Sequence, residues 1–120
     1  MAKINESLKE LMEIDGALGA SIVDYSSGMS LGATGGAGLD LDLAAAGNSQ
    51  VVKAKMETMK SLGIKGGIED ILITLSDQMH VIRPSVEHEG LFIYLVLDKA
   101  KSNLALARRK VLNIEKSIEV

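Results

Sequence analysis

The sequence contains no cysteine and no tryptophan, and its only aromatic residues are one phenylalanine and two tyrosines. Without cysteine the chain can form no disulfide, no thiolate nucleophile and no cysteine-based zinc site, which suits a cytoplasmic location. The shortage of aromatic rings removes the stacking platforms on which single-stranded nucleic acids bind. A net charge of -3 also lacks the positive excess that attracts phosphate backbones. Nucleic acid is therefore not an expected partner.

Long apolar runs are also missing. The longest, Leu91 to Leu97, is far too short to cross a bilayer. Near the start of the chain, Ile4, Leu8 and Leu11 are spaced as one helical stripe among charged residues, unlike the uninterrupted apolar stretch of a secretory signal. The sequence therefore predicts neither membrane insertion nor a secretory leader.

Aliphatic residues dominate the composition instead. Hydrophobic residues make up 47% of the 120 positions, and the mean hydropathy is +0.20. A chain of this length is about the size of one domain, and residues 1–120 are expected to form a single one. Because so small a domain needs much polar covering, the positive mean hydropathy predicts that some apolar surface meets another subunit.

The periodicity of the apolar residues predicts the order helix, hairpin, helix, three strands, helix. The segment Leu91 to Leu97 is apolar on both faces, so it belongs at the centre of a sheet that helices cover on both sides. The short turns favour a largely antiparallel sheet and hence an α+β fold. The predicted elements are helix Ile4 to Ile14, strands Ala17 to Tyr25 and Met29 to Ala33, a helix from Asp40 or Asp42 to about Leu62, strands Ile68 to Leu75, Met79 to Arg83 and Leu91 to Leu97, and a helix spanning Ala100 to Ile118.

A glycine-rich segment, Thr34 to Gly38, is the first candidate for ligand chemistry. It lacks the Lys-Ser/Thr pair of a P-loop and the spacing of a dinucleotide fingerprint. Asp40 and Asp42 follow it and would repel phosphate. The segment is therefore interpreted as a mobile connection before a helix that one of these aspartates caps.

The histidines show no metal-binding spacing, since His80 and His88 form neither a zincin motif nor a helical pair. His80 is expected to be an ordinary strand residue. His88 lies in a polar stretch before a glycine, which predicts a solvated hairpin loop.

The remaining polar clusters also have simple structural explanations. Asp24, Ser26 and Ser27 are typical of a tight turn rather than of a nucleophile site. The basic group from Arg108 to Lys110 fits a solvated helix face better than a dock for an acidic partner. The sequence thus predicts no catalytic residue, no cofactor and no metal site, and the protein is not expected to be an enzyme.

Several segments nevertheless carry a resemblance. They are Gly19 to Asp24 with Ser27-Gly28, Ile68 to Thr74, Ile82-Arg83-Pro84, Gly90 to Asp98, and Ser102 to Arg108. Together they resemble the Roadblock / dynein light chain family, in its small single-domain bacterial form, over nearly the whole chain. These are packing and turn signatures, so they bear on the fold more directly than on the function.

The resemblance implies an α/β/α sandwich with a five-stranded antiparallel sheet, the profilin-like Roadblock fold. It further implies homodimers in which the second helix, Ala44 to Leu62, and the third strand, Ile68 to Leu75, meet their copies across a two-fold axis. The dimer-interface residues expected on this basis are Ala45, Asn48, Val52, Met56, Met59, Ile71 and Ile73.

The resemblance also implies a function carried by surfaces. Bacterial relatives of this size resemble regulators or scaffolds of Ras-like small GTPases in signalling or polarity, some of which work beside a sensor kinase, and an activator of this kind promotes GTP hydrolysis by ordering the GTPase's own switch region. Two alternatives stay open. One is a structural adaptor that leaves nucleotide turnover unchanged, and the other is a small-ligand sensor using the Gly35 to Gly38 loop or His80.

Overall fold

A computed structural model describes residues 2–36 and 38–119 of the chain. Within these ranges, the helices and the five longer strands follow the predicted order, and a two-residue strand lies at each end. The elements are β1 (Ala2–Lys3), α1 (Ile4–Met12), β2 (Ala17–Asp24), β3 (Met29–Gly35), α2 (Leu41–Ser61), β4 (Ile71–Thr74), β5 (Gln78–Pro84), β6 (Leu91–Asp98), α3 (Leu104–Ser117) and β7 (Ile118–Glu119).

The main sheet has five strands in the order β3-β2-β6-β5-β4, and every neighbouring pair is antiparallel. β6 occupies the centre, as its two apolar faces predicted, and residues 92–97 are all buried. The short strands β1 and β7 pair in parallel beside this sheet. Helices α1 and α3 cover one face and α2 covers the other, which confirms the predicted α/β/α sandwich.

Two hydrophobic cores result, one on each face of the sheet. The larger core lies beneath α1 and α3, and the smaller one lies beneath α2. Because side chains alternate along β6, Ile93, Leu95 and Leu97 enter the first core, while Phe92 and Tyr94 enter the second. The central strand therefore ties both layers together.

Local capping explains where the two longer helices begin. The Asp40 carboxylate accepts a hydrogen bond from the Leu43 amide at 3.0 Å, and the Asn103 side chain accepts one from the Leu106 amide at 3.0 Å. The predicted cap at Asp40 is confirmed. The last helix begins later than predicted, because Asn103 caps it and Ala100 instead lies in a turn where its amide donates to Asp98.

Several predicted boundaries also shift. β3 extends to Gly35, so it includes two residues expected in the glycine-rich loop, and α1 ends at Met12. β4 has only four residues, because the segment before it turns through Gly63 and Gly66, whose φ angles are +71° and +95°. Among the described residues, no helix is both long and apolar enough to cross a membrane.

Candidate functional site

The glycine-rich segment is only in part the connection that the sequence predicted. Thr34 and Gly35 belong to β3, and Gly36 is buried, donating its amide to the Leu18 carbonyl at 2.7 Å. The Leu39 amide in turn donates to the Gly36 carbonyl. These amides are already satisfied by the backbone and cannot cradle a phosphate. Ala37 lies outside the described residues.

The turn after β2 has the structure that its residue types predicted. The Asp24 carboxylate accepts hydrogen bonds from the Ser26 hydroxyl at 2.6 Å and from the Ser26 amide at 3.0 Å. These hydrogen bonds, the one from the hydroxyl above all, lower the pKa of Asp24. The aspartate thus organises the turn, and the serine hydroxyl is one of the groups that it holds there.

His88 differs from its predicted role in a solvated loop. The residue is half-buried, its Nε2 lies 2.8 Å from the Ile118 carbonyl oxygen, and its amide donates to the Ser85 hydroxyl at 3.0 Å. It therefore fastens the β5–β6 loop to β7. Within residues 2–36 and 38–119, no group of three or more His, Asp or Glu side chains is arranged to hold a metal ion.

Two arginines hold the segment that leads into β4. Arg108 on α3 forms a forked pair with Asp70, with N–O distances of 2.7 and 3.2 Å, and the hydrogen bond to this carboxylate raises the pKa of Arg108. Arg83 on β5 donates to the Glu69 carbonyl at 3.0 Å and lies 3.4 Å from the buried carboxylate of Glu115. Arg108 is thus engaged within the chain, whereas Arg109 and Lys110 beside it are exposed.

The expected interface residues of α2 divide into two groups. Ala45 and Val52 are 0% exposed, and they face their own sheet within the core that includes Phe92 and Tyr94. They support the helix from beneath and cannot touch another copy directly. The other expected residues are only half-buried, and they are Asn48, Met56, Met59, Ile71 and Ile73.

The half-buried residues mark a strip that α2 leaves partly open. Ala46, on one flank of α2, lies near Gly28 of the β2–β3 turn. The opposite flank, which carries Asn48 and Val51, therefore faces the side of β5 and β4. There the strands present the half-buried side chains of Ile71, Ile73, Gln78 and His80 beneath the free flank of the helix. We call these four residues, together with Asn48, Val51, Met56 and Met59, the open strip.

β4 borders the open strip and is an edge strand of the sheet. It pairs with β5 on one side only, and its sequence, ILIT, contains no charged residue and no proline. Edge strands of this kind offer unpaired amide and carbonyl groups to another chain, since charges and prolines are the usual protection against such pairing. The open strip and this edge form one continuous surface.

A chain of polar side chains crosses the open strip. The Tyr94 hydroxyl lies 3.0 Å from His80 Nδ1, His80 Nε2 lies 2.9 Å from Gln78 Oε1, and the His80 and Tyr94 rings meet edge to face at 5.4 Å between centroids. Burial lowers the pKa of His80. Burial also raises the pKa of Tyr94, and a hydrogen bond from Asn48 on α2 acts in the opposite direction. The strip therefore combines apolar contact area with a hydrogen-bonded histidine.

The whole architecture matches solved structures of one kind. The crystal structure of a Roadblock/LC7 domain from Streptomyces avermitilis superposes with a TM-score of 0.83, covering 97% of this chain and 94% of that one at 13% sequence identity. The chain has the Roadblock fold. The resemblance carried by the sequence segments is thus confirmed at the level of the fold.

Two further bacterial structures share the Roadblock fold with this chain. Myxococcus xanthus MglB gives a TM-score of 0.83 at 16% identity, covering 94% of this chain and 89% of that one. The gliding protein MglB from Thermus thermophilus gives 0.72 at 18% identity, covering 94% and 88%. No protein-family model matches the sequence. No curated protein matches it either.

Sequence reasoning missed the polar chain and the two arginine contacts. His80 and Gln78 could have been placed on one face from strand alternation, because residues two apart on a strand point the same way. Tyr94 lies on β6, and its place beside them follows from the register of the two strands. Arg83 and Glu115 gave no local signal, since they are 32 positions apart and meet only through the packing of α3 on the sheet. Their pairing is a product of the tertiary structure.

Proposed function

We propose that this chain is a non-catalytic, homodimeric Roadblock-type domain, residues 1–120, that binds a Ras-like small GTPase as a regulator or scaffold. The observation that carries the dimer is the open strip, which places half-buried apolar side chains beside an uncharged edge strand. A second copy related by a two-fold axis would cover the strip with its own α2 and pair its β4 with this one. Both parts of the surface would then be buried by one event.

The charge distribution of α2 supports an antiparallel arrangement of the two helices. Asp40 and Asp42 lie at the start of α2, whereas Lys53, Lys55 and Lys60 lie in its second half. Antiparallel pairing brings the acidic start of each helix towards the basic half of its partner, and such complementarity fixes register more than it adds affinity. Parallel pairing would set like charges side by side.

Gly47 provides independent support for close approach of another chain. It lies in the middle of a 21-residue helix, where glycine costs about 0.5–1 kcal/mol relative to alanine. No atom from another part of the described chain lies within 4 Å of the position that its Cβ would take. The fold of the single chain thus gives no steric reason for this glycine, whereas a helix crossing at this point does.

The other edge strand, β3, fits the dimer contact less well. Its pairing with β2 is interrupted by a bulge between Ile22 and Val23, and such irregularities twist an edge away from regular pairing. On that side of the molecule the flank of α2 already lies against the β2–β3 turn. A copy added at β3 would gain strand pairing without a helix to pack against.

The GTPase assignment rests on the Roadblock resemblance together with the shared fold. A regulator that orders the partner's switch region needs a rigid docking surface rather than a transferred group, and a sheet continued across two copies supplies such a surface. The adaptor alternative uses the same dimer. It differs only in leaving the hydrolysis of GTP unchanged.

Two measurements test this proposal. Sedimentation equilibrium of the purified chain should give the mass of a dimer, and GTP hydrolysis by each Ras-like GTPase of the same cell should change when the dimer is added. The matched control is Val51→Asp, which places a charge on the exposed flank of α2 and should yield a folded monomer without this effect. A wild-type monomer would refute the dimer. A dimer that neither binds any of these GTPases nor changes their turnover would refute the partner, and binding with unchanged turnover would favour the adaptor.

A further inference from the structure

The hydrogen bonds that join Gln78, His80 and Tyr94 have a fixed order of donors and acceptors when His80 is neutral. Gln78 presents its Oε1, which is an acceptor only, so His80 Nε2 carries the proton and donates it. Nδ1 is then the acceptor, and it takes the proton of the Tyr94 hydroxyl. The Asn48 side chain on α2 acts on the same hydroxyl and opposes the rise in the pKa of Tyr94. In this state both ring nitrogens of His80 and the proton of the Tyr94 hydroxyl have hydrogen-bond partners.

Protonation of His80 would reverse the hydrogen bond between His80 and Tyr94. Both ring nitrogens of a charged imidazole are donors, so Tyr94 could no longer donate to Nδ1 and would have to accept from it. The tyrosine proton would then need a new acceptor, which Asn48 could supply only by turning its amide. The charged state thus disturbs a side chain of α2 inside the open strip.

Few charged groups are available to stabilise a charged His80. On β4 and on the same face of β5 its neighbours are uncharged: Ile73 lies opposite it, and Ile82 and Gln78 flank it. β6 contributes Tyr94 and Val96, and beyond them Asp98, whose carboxylate already accepts from the Ala100 amide at 2.9 Å. The charge that α2 offers on this flank is Lys55, which would repel a cation. Burial of the strip would therefore favour neutral His80.

We propose that His80 makes the association of two copies pH-dependent, so that uptake of a proton by each His80 releases the dimer. This inference rests on the proposed homodimer, which covers the strip and removes the water that could solvate a charged ring. The direction of the pH effect on the dissociation constant follows from proton linkage. A monomer that binds protons more readily than the dimer is favoured as the pH falls.

The size of the effect follows from the two-fold symmetry. Each dimer contains two His80 side chains, so dissociation takes up as many as two protons, and the dissociation constant can rise about 100-fold per pH unit at the steepest part of the curve. Between about pH 7.5 and pH 5.5 we expect a rise of about several-fold, below the steepest limit because burial already lowers the pKa of His80 in the single chain.

The experiment is sedimentation equilibrium over this pH range on wild type, His80→Asn and His88→Gln. Asparagine keeps an uncharged acceptor near the position of Nδ1, and His88 lies away from the strip, where it contacts Ile118. The dissociation constants of wild type and H88Q should rise together on acidification, while that of H80N stays flat. Circular dichroism at each pH confirms that the chains remain folded.

Each other outcome has a distinct meaning. A wild-type dimer whose affinity does not change with pH would overturn the role of His80 and leave the proposed dimer standing, as would an equal rise in H80N. A wild-type monomer at every pH would overturn the dimer itself. If H80N fails to fold, NMR titration of His80 in wild type at protein concentrations well above and well below the dissociation constant decides the question. The midpoint should be lower in the dimer, and equal midpoints would overturn the inference.

Discussion

Replacing Gly47 with alanine is expected to stabilise the isolated chain and to weaken the proposed dimer. Gly47 lies within α2, and the position of its missing Cβ is open in the single chain. In a monomer the added methyl group should therefore raise the free energy of unfolding by about 0.5–1 kcal/mol, because alanine is the better helix former. Nothing in the packing of the described chain opposes this gain.

In the proposed dimer the same substitution is expected to be unfavourable. A helix crossing at Gly47 brings a backbone close to the site, and a methyl group forced into a packed contact costs about 1–3 kcal/mol. The symmetry of the dimer repeats this cost, so the dissociation constant should rise about 30-fold or more. The same substitution would thus stabilise the fold and weaken the assembly.

The assay combines urea unfolding at low protein concentration, where monomers dominate, with sedimentation equilibrium at higher concentration. The matched control is Ala46→Gly, because Ala46 lies on the flank of α2 that already faces the chain's own β2–β3 turn at Gly28. It should lower stability by about 0.5–1 kcal/mol and leave the dissociation constant unchanged. If G47A stabilises the monomer and leaves association unaffected, the proposed helix contact is wrong.

Three further substitutions test the packing. Arg83→Met should destabilise the fold by about 3–5 kcal/mol in denaturant unfolding, because it leaves the buried Glu115 carboxylate without its cation; a loss below about 1 kcal/mol would contradict this. Ser21→Ala should raise the unfolding free energy by about 1 kcal/mol, since the buried Ser21 hydroxyl has no hydrogen-bond partner among the described residues, and a destabilised variant would indicate an unseen partner. Val52→Asp should unfold the chain, whereas Val51→Asp should leave circular dichroism native, and similar behaviour of the two would refute the orientation of α2.

The order and type of the main elements could be predicted because each depends on residues close in sequence. The seven consecutive apolar residues from Leu91 to Leu97 required a central strand. Asp40 was expected to cap the helix that begins directly after it, and it does. The hydrogen bonds of Asp24 in its turn are likewise local. Boundaries were less certain, since the short β4 depends on how the preceding segment is held.

The candidate site was predicted only in outline. The resemblance pointed to α2 and to the strand that follows it, but the periodicity of α2 is blurred by small residues such as Ala44 and Ala46. Its apolar residues therefore did not reveal which ones face the chain's own sheet. Ala45 and Val52 are core residues, and the more exposed Val51 lies on the flank that borders the open strip.

By itself, the sequence determined the α+β sandwich, the central strand, the cap at Asp40 and the absence of cysteine chemistry, because periodicity, capping and composition act locally. The tertiary structure alone decided that Arg83 meets Glu115, that Arg108 meets Asp70 and that His88 reaches Ile118, pairs that lie 30 or more positions apart. It also decided that His80 in the open strip is hydrogen-bonded to Tyr94, 14 positions away. Such contacts depend on how helices and strands pack against one another, and no local pattern encodes that packing.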